Sequence, residues 1–199
     1  MIENFFSTPI YIHTVEDTDL LDIEIDNVVS SAIFKNDWQP DNDTAETTFS
    51  NDMMNIIPTF DMKVTNDVIK QHVKNYLEQT GQRYQTDSIN VNSSWLNKFS
   101  TEQLIGFHEH GYQPNVVSGV YYHKFTPGSG DIQFKSPNPF VVSFPHQTPT
   151  YTNIVNIAVE QSMLLLFPNW LLHKVMPNRT TNTRISLAFN ADFRYTYQE

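Results

Sequence analysis

The part of the sequence after residue 85 consists of short, strand-forming runs separated by turn residues, and this texture constrains the fold more than any other feature. Val, Ile, Phe and Tyr are frequent in the runs, whereas Gly, Pro, Asn and Ser are frequent between them. The runs are INVNSSWLNKF (89–99), NVVSGVYYHKF (115–125), DIQFK (131–135), FVVSF (140–144), YTNIVNIAV (151–159), MLLLF (163–167), LLHKVM (171–176) and TRISLAFNADF (183–193). About eight short strands in one compact region are typical of a jelly roll or a double-stranded β-helix barrel. The sequence therefore predicts a mainly β fold.

Two amphipathic helices are predicted before this region. Segment 17–34 has an acidic start, and its apolar residues recur at helical spacing. Segment 65–82 shows the same spacing and ends near Gly81, a residue that commonly terminates helices. Segment 5–15 reads as a strand interrupted by a proline. We expect the helices to buttress one sheet of the barrel from outside.

The length favours one domain spanning residues 1–199. Within it, residues 1–85 are expected to supply helical support and a lid, and residues 86–199 the β-helix core that carries the site. The polar stretch 38–56 is predicted to be a long loop of the kind that often covers an active site. Loop 145–150 is expected to shape the entrance together with it.

Composition excludes several classes of function. The net charge of −10 repels phosphate backbones, so we expect no nucleic acid partner. The absence of cysteine rules out thiolate metal sites and disulfides. The start of the chain lacks the basic region of a secretory signal, and the longest apolar run is far too short to span a bilayer. A soluble cytoplasmic protein without membrane contact is expected, and the sequence leaves a homodimer open.

Histidines provide the candidate metal ligands. In an extended strand His108 and His110 point to the same side, while Glu109 points away. A mononuclear site needs a third ligand, and His173, which follows two hydrophobic runs, is the best candidate. Arg184 opens an otherwise apolar strand soon afterwards, and Ser186 shares its face. A buried arginine of this kind is suited to bind a carboxylate.

The order His-x-His, His, Arg-x-Ser resembles the non-haem iron and 2-oxoglutarate dependent oxygenases, specifically their prolyl-hydroxylase-like branch. The closest resemblance is to a family of 2-oxoglutarate/Fe(II) oxygenases common in marine bacteria and phages. Its marks are TPIY (8–11), SSWLN (93–97), PNVVSGVYY (114–122), LLLFPNWLLHKV (164–175) and NTRISLAFN (182–190). The resemblance spans essentially the whole chain, and it implies the cytoplasm of a bacterium or of a phage-infected host cell.

The resemblance implies Fe(II) and 2-oxoglutarate as cofactors and a dioxygenase that hydroxylates a small-molecule or peptide substrate. His108 and His173 match the family's iron histidines, and Arg184 matches the arginine that anchors the far carboxylate of 2-oxoglutarate. Tyr122 matches a tyrosine that hydrogen-bonds the same carboxylate in prolyl hydroxylases. Asn97 and Asn190 fall where polar residues that line the cofactor pocket often lie. The substrate class that the branch suggests is peptidyl proline or an amino acid.

One departure from the superfamily lies at His110, where a carboxylate ligand is usual. Glu109 could restore a carboxylate only if a bulge turned it inward. A cupin-type metal enzyme is an alternative on the same barrel, although Pro114 and Asn115 stand where its first motif requires glutamate. A Zn(II) hydrolase with three histidines is chemically feasible. A non-catalytic β-sandwich, such as a binding or virion module, is the alternative of a different class.

Overall fold

A computed structural model describes residues 7–36, 44–50, 52–138 and 152–196. Two antiparallel sheets face each other, with strand orders β1-β8-β5-β10-β3-β2 and β4-β9-β6-β7. The strands are β1 Tyr11–Thr14, β2 Glu46–Thr47, β3 Asn90–Phe99, β4 Ile105–His108, β5 Val116–Lys124, β6 Ile132–Lys135, β7 Ile154–Ile157, β8 Met163–Pro168, β9 His173–Val175 and β10 Arg184–Asp192. This is the mainly β, double-stranded β-helix architecture expected from the run pattern, with ten strands in the described part of the chain.

Strand β10 lies at the centre of the larger sheet, between β3 and β5. Its odd-numbered residues, such as Leu187 and Phe189, are buried in the core between this sheet and the helices. Its even-numbered residues face the interior of the barrel, because successive strand residues alternate between faces. Arg184 and Ser186 therefore share the inner face, as the sequence predicts.

The outer face of the larger sheet is covered by α1 (Asp19–Ser31) and α3 (Lys63–Gln79), while α2 (Ile56–Thr59) is a single turn. The two long helices confirm the predictions for 17–34 and 65–82. At the end of α3, Gly81 adopts a φ of +68°, and its N–H donates to the Glu78 carbonyl at 3.1 Å. That conformation favours glycine and satisfies a carbonyl that the last turn would leave free.

A charged cluster attaches α1 to this sheet. The buried His123 of β5 contacts Asp22 through Nδ1 at 2.8 Å and Asp26 through Nε2 at 2.9 Å. Lys124 donates to the same Asp26 oxygen at 2.6 Å. His123 thus points away from the barrel interior, on the opposite face from Tyr122, as strand alternation predicts.

Several sequence expectations concern the connecting segments. The stretch 38–56 is irregular where it is described, except for β2, two isolated bridges and the first residue of α2. The predicted strand 140–144 and loop 145–150 lie outside the described residues. None of the helices in the described ranges has the length and apolar character needed to cross a bilayer.

Candidate metal centre

The three histidines singled out in the sequence meet inside the barrel. His108 ends β4 and is the direct cross-strand partner of His173, which begins β9. His110 lies two residues beyond the end of β4, and its ring centroid is 5.3 Å from that of His108 and 5.0 Å from that of His173. One ligand nitrogen from each ring lies within 4.8 Å of the other two. The juxtaposition that the sequence predicts is present.

Two of the rings are oriented by the backbone. Nδ1 of His108 lies 2.9 Å from the Gly106 carbonyl oxygen, and Nδ1 of His173 lies 2.8 Å from the Leu171 carbonyl oxygen. A carbonyl oxygen only accepts, so each Nδ1 must donate and carry the proton. The lone pair of a neutral ring then lies on Nε2 and is available to a metal.

The third ring is oriented by side chains. Nδ1 of His110 lies 2.9 Å from Asn190 Oδ1 and 3.0 Å from Ser118 Oγ. The Asn190 oxygen accepts the Nδ1 proton, which again leaves the lone pair on Nε2. Hence all three imidazoles share one tautomer.

Burial keeps the rings of His110 and His173 neutral. It lowers the pKa of His110 to about 4, with a smaller effect from the neighbouring His108. The pKa of His173 is also lowered well below the ordinary value, first by burial and then by the charges that the other two rings would carry. Because metal ligands must be unprotonated, His110 and His173 are ready to bind a cation at neutral pH. Three imidazole nitrogens are suitable ligands for Fe(II).

Farther along the inner face of the larger sheet lies the buried side chain of Arg184, with N–H donors that bond to no acceptor in the described part of the chain. Arg184 is 1% exposed, and its guanidinium lies between the rings of Phe99 (4.4 Å) and Tyr122 (5.1 Å). Within the described ranges, Nε and Nη1 of Arg184 and the hydroxyl of Tyr122 have no hydrogen-bond partner. Buried polar groups are rarely left unpaired, so this arrangement fits a carboxylate brought by a ligand.

The sheet register arranges the other predicted residues around this cation. Ser186 is the direct cross-strand partner of Tyr122 on one side and of Asn97 on the other. All three are buried and line the cavity. Burial raises the pKa of Tyr122 to about 12, so its hydroxyl keeps the proton that it would donate. We call Tyr122, Ser186 and Asn97 the Arg184-side row.

A second row of polar residues crosses the same three strands four residues away. Ser118 of β5 pairs with Asn190 of β10, which pairs with Ser93 of β3. We call Ser118, Asn190 and Ser93 the His110-side row, because Ser118 and Asn190 contact Nδ1 of His110. The sequence predicts Asn190 in the cofactor pocket; in the structure it lines the cavity and directs its side-chain oxygen to His110. Sequence reasoning missed Ser118, although its position four residues before Tyr122 puts it on the same inner face.

One cavity of about 530 Å³ is lined by the three histidines, Arg184, the Arg184-side row, and Ser93 and Asn190 of the His110-side row. Its lining also includes Phe49, Met54 and Trp95. The Trp95 ring centroid lies 5.4 Å from that of His110 and 5.1 Å from that of Phe49, in an edge-to-face contact with each. Sequence reasoning assigned no role to Phe49 or Met54, although both lie in the predicted lid. Glu109 also lines the cavity, contrary to the extended-strand expectation, but its carboxylate is not part of the cluster of ligand atoms.

Comparisons with known proteins agree with this geometry. Residues 93–190 match the family model described as "Putative 2OG-Fe(II) oxygenase". A search of curated proteins finds no match. Among solved structures, HygX from Streptomyces hygroscopicus, with nickel, 2-oxoglutarate and hygromycin B bound, is 11% identical, with 93% of this chain and 83% of HygX covered and a TM-score of 0.59.

Two further structures show the same fold. A prolyl-4-hydroxylase from Pseudomonas putida is 11% identical, with 96% of this chain and 94% of that chain covered and a TM-score of 0.60. A 2OG-Fe(II) oxygenase family oxidoreductase from Burkholderia pseudomallei is 12% identical, with 92% and 84% covered and a TM-score of 0.58. At these identities the likeness shows the double-stranded β-helix fold and does not identify a substrate.

Proposed function

We propose that this chain, whose residues 93–190 match the 2-oxoglutarate/Fe(II) oxygenase family model, hydroxylates a small-molecule or peptide substrate and converts 2-oxoglutarate to succinate and CO₂. The observation that carries the proposal is the pairing of two features in one cavity. Three histidine rings present Nε2 to a common point, and a buried arginine with unpaired donors lies on the same sheet face.

The donor set indicates which residues would hold each group. His108, His110 and His173 would be the ligands of Fe(II). When bound, Fe(II) supplies the redox chemistry that couples decarboxylation of 2-oxoglutarate by dioxygen to oxidation of a substrate C–H bond. Arg184 would bind the distal carboxylate through its unpaired N–H groups, in a dry environment that strengthens the attraction.

The Arg184-side row would orient the cosubstrate. The Tyr122 hydroxyl is buried and protonated, and its ring lies against the Arg184 guanidinium, so it can donate to the same carboxylate as Arg184. Ser186 and Asn97 add polar contacts beside it. A charged arginine buried without a partner destabilises a protein. The burial of Arg184 therefore supports the binding of a dianionic ligand in the active form of the protein.

The substrate end of the cavity is aromatic and apolar. Trp95 lies beside His110, Phe49 packs against Trp95, and Met54 lines the same cavity, so we place the approach of the group to be oxidised here. Such a wall suits a pyrrolidine ring or an aliphatic side chain, which supports peptidyl proline or an amino acid as the substrate. The fold likeness to a prolyl-4-hydroxylase and to HygX with hygromycin B bound is consistent with a peptide or a small molecule.

We also propose that residues 1–85 serve as support and lid for a catalytic core at 86–199. Thr47, Phe49 and Met54 come from the first part and line the cavity, which supports this division within one domain. None of the three alternatives from the sequence explains the site as well, and a Zn(II) hydrolase would need only the three histidines. A cupin has no use for Arg184 beside its metal, and a non-catalytic module has no use for three converging imidazoles.

Succinate release tests the proposal. Protein loaded with Fe(II) would be assayed against a panel of proline-containing peptides and free amino acids. His173→Ala and Arg184→Ala are expected to abolish turnover, because each removes one of the two features. His13→Ala and Arg194→Ala, at exposed positions outside the cavity, are the matched controls and should retain activity. Turnover that survives both of the first two substitutions would refute the mechanism.

A further inference from the structure

His110 differs from the other two histidines in what holds it. Their Nδ1 atoms bond to carbonyl groups two residues earlier in the chain, which no substitution can remove. The partners of His110 Nδ1 are the side chains of Ser118 and Asn190. This is also the ligand position at which the superfamily usually has a carboxylate. A carboxylate needs no tautomer, whereas an imidazole binds a metal only through an unprotonated nitrogen.

We propose that Asn190 is the positioning residue that makes His110 a metal ligand. Its side-chain oxygen accepts a hydrogen bond from the Nδ1–H group of His110, and this holds the Nε2 lone pair toward the other two histidines. The proposal rests on the proposed metal-binding function of this site and deepens it. In this role Asn190 orients the metal ligand His110 and does not bind the cosubstrate.

The orientation of the Asn190 amide decides the tautomer. Ser118 Oγ donates to Asn190 Oδ1 at 2.7 Å, and Asn190 Nδ2 donates to Ser93 Oγ at 2.9 Å. The reversed amide would point two N–H groups at His110 and Ser118. His110 Nδ1 would then have to accept, the proton would move to Nε2, and the ring could not bind a metal at that atom.

The sheet register supplies this arrangement. Ser118, Asn190 and Ser93 are direct cross-strand partners on β5, β10 and β3, so the row forms whenever the sheet forms. Ser118 is fully buried, which removes competing water. Hydrogen bonds to the non-ligating nitrogen of a metal-binding histidine fix the ring and raise its basicity. The His110-side row meets that description.

Cobalt binding provides the test, with Co(II) as the probe in place of iron. The metal-free protein would be titrated with Co(II) by calorimetry, and the visible spectrum of the complex recorded. Asn190→Ala should weaken Co(II) binding by about 10- to 100-fold, the usual effect of losing such a partner, and should change the spectrum. Asn190→Asp keeps an acceptor of the same shape and should restore binding to within a few-fold of the wild type. Asn115→Ala, an asparagine that bonds to the backbone carbonyl of Phe193, is the matched control.

The tautomer itself can be observed without metal. Nitrogen-15 NMR of the histidine rings distinguishes protonated from bare ring nitrogens. In the wild type His110 should be protonated at Nδ1, and in Asn190→Ala it should shift toward the Nε2-protonated form, while His173 stays unchanged. Circular dichroism would verify that the variants are folded.

These measurements separate a failure of the proposed metal site from a failure of the proposed role of Asn190. If wild-type protein did not bind Co(II), the proposed metal site would be refuted together with the role of Asn190. If wild-type protein bound Co(II) and Asn190→Ala bound it equally well with the same tautomer, only the role of Asn190 would be overturned. Equal losses in Asn190→Ala and Asn190→Asp would also overturn it, because both variants would then merely disturb packing.

Discussion

Replacing Arg184 by Met should stabilise the ligand-free protein while removing its response to 2-oxoglutarate. The guanidinium is 1% exposed, and two of its nitrogens are unpaired within the described ranges. An unsatisfied buried donor costs about 1–3 kcal/mol, so removing two relieves about 2–6 kcal/mol. Met fills much of the same volume with an apolar, adaptable chain.

The substitution also removes a favourable contact. The guanidinium packs against the rings of Phe99 and Tyr122, and a desolvated cation–π contact contributes about 2 kcal/mol, or about 4 kcal/mol for the two. The Met sulfur recovers about 1–3 kcal/mol through contacts with the same two rings. At the middle of these ranges we expect a net stabilisation of about 2 kcal/mol, and a melting temperature that rises by about 2–4 °C for each kcal/mol in a protein of this length.

The cosubstrate should reverse the ranking. At a 2-oxoglutarate concentration about 100 times its Kd, with Co(II) present, the wild type gains about 2.7 kcal/mol. Truncating one partner of a buried, hydrogen-bonded charge pair costs about 2–5 kcal/mol of binding. In Arg184→Met that loss removes most or all of the ligand-induced gain at the same concentration.

Urea unfolding with and without Co(II) plus 2-oxoglutarate measures both effects. Arg194→Met, at an exposed position, controls for the change of side chain and should alter neither curve. The reasoning fails if Arg184→Met destabilises the ligand-free protein by more than about 1 kcal/mol and keeps the full ligand-induced shift. That result would show that Arg184 is a structural residue whose donors are satisfied without a ligand.

Three further predictions follow from the described contacts. His110→Ala should weaken Co(II) binding at least about 10-fold, whereas Glu109→Gln should leave it within a few-fold, and calorimetry giving the opposite order would identify Glu109 as the ligand. Gly119→Ala should destabilise the fold by about 1–3 kcal/mol in urea, because its Cβ would overlap the ring of Phe189; an unchanged midpoint would contradict this packing. A lysine and a histidine hold the pKa of Asp26 below its ordinary value of 3.8, so its stabilising effect is complete above that pH and is lost as pH falls through the lower value. The urea midpoint of Asp26→Asn should therefore lie below that of the wild type at pH 7 and approach it near pH 2. A difference between the two midpoints that grows as the pH falls would contradict this prediction.

Much of the site was predictable because strand alternation is a local rule. The spacing of two residues places Ser186 with Arg184, and Tyr122 opposite His123, without knowledge of the tertiary fold. The third ligand, His173, was indicated by its place after two hydrophobic runs and was supported by the family resemblance, since strand periodicity alone does not say which distant histidine returns to the same point. The helices were predictable for a similar local reason: their apolar residues cover one face and Gly81 ends α3.

The environment of His110 was not predictable, because it depends on register. Ser118 and Asn190 are far apart in the sequence, and they meet only because β5 and β10 pair without a shift over this stretch. Phe49 and Met54 were missed for another reason. They lie in an irregular segment, where no periodicity indicates which side chains turn toward the cavity.

The same register couples the two ends of the site. Between its two irregularities, β10 runs regularly from Ser186 to Asn190 against both neighbouring strands. Four residues of strand span about 13 Å, so this rigid stretch sets the separation between the Arg184-side row and the His110-side row. A slip of one residue would turn Ser186 and Asn190 outward together, because the side-chain period is two. Changes that disturb the pairing of β10 should therefore impair cosubstrate binding and metal binding at once, whereas changes in β4 or β9 should affect the metal first.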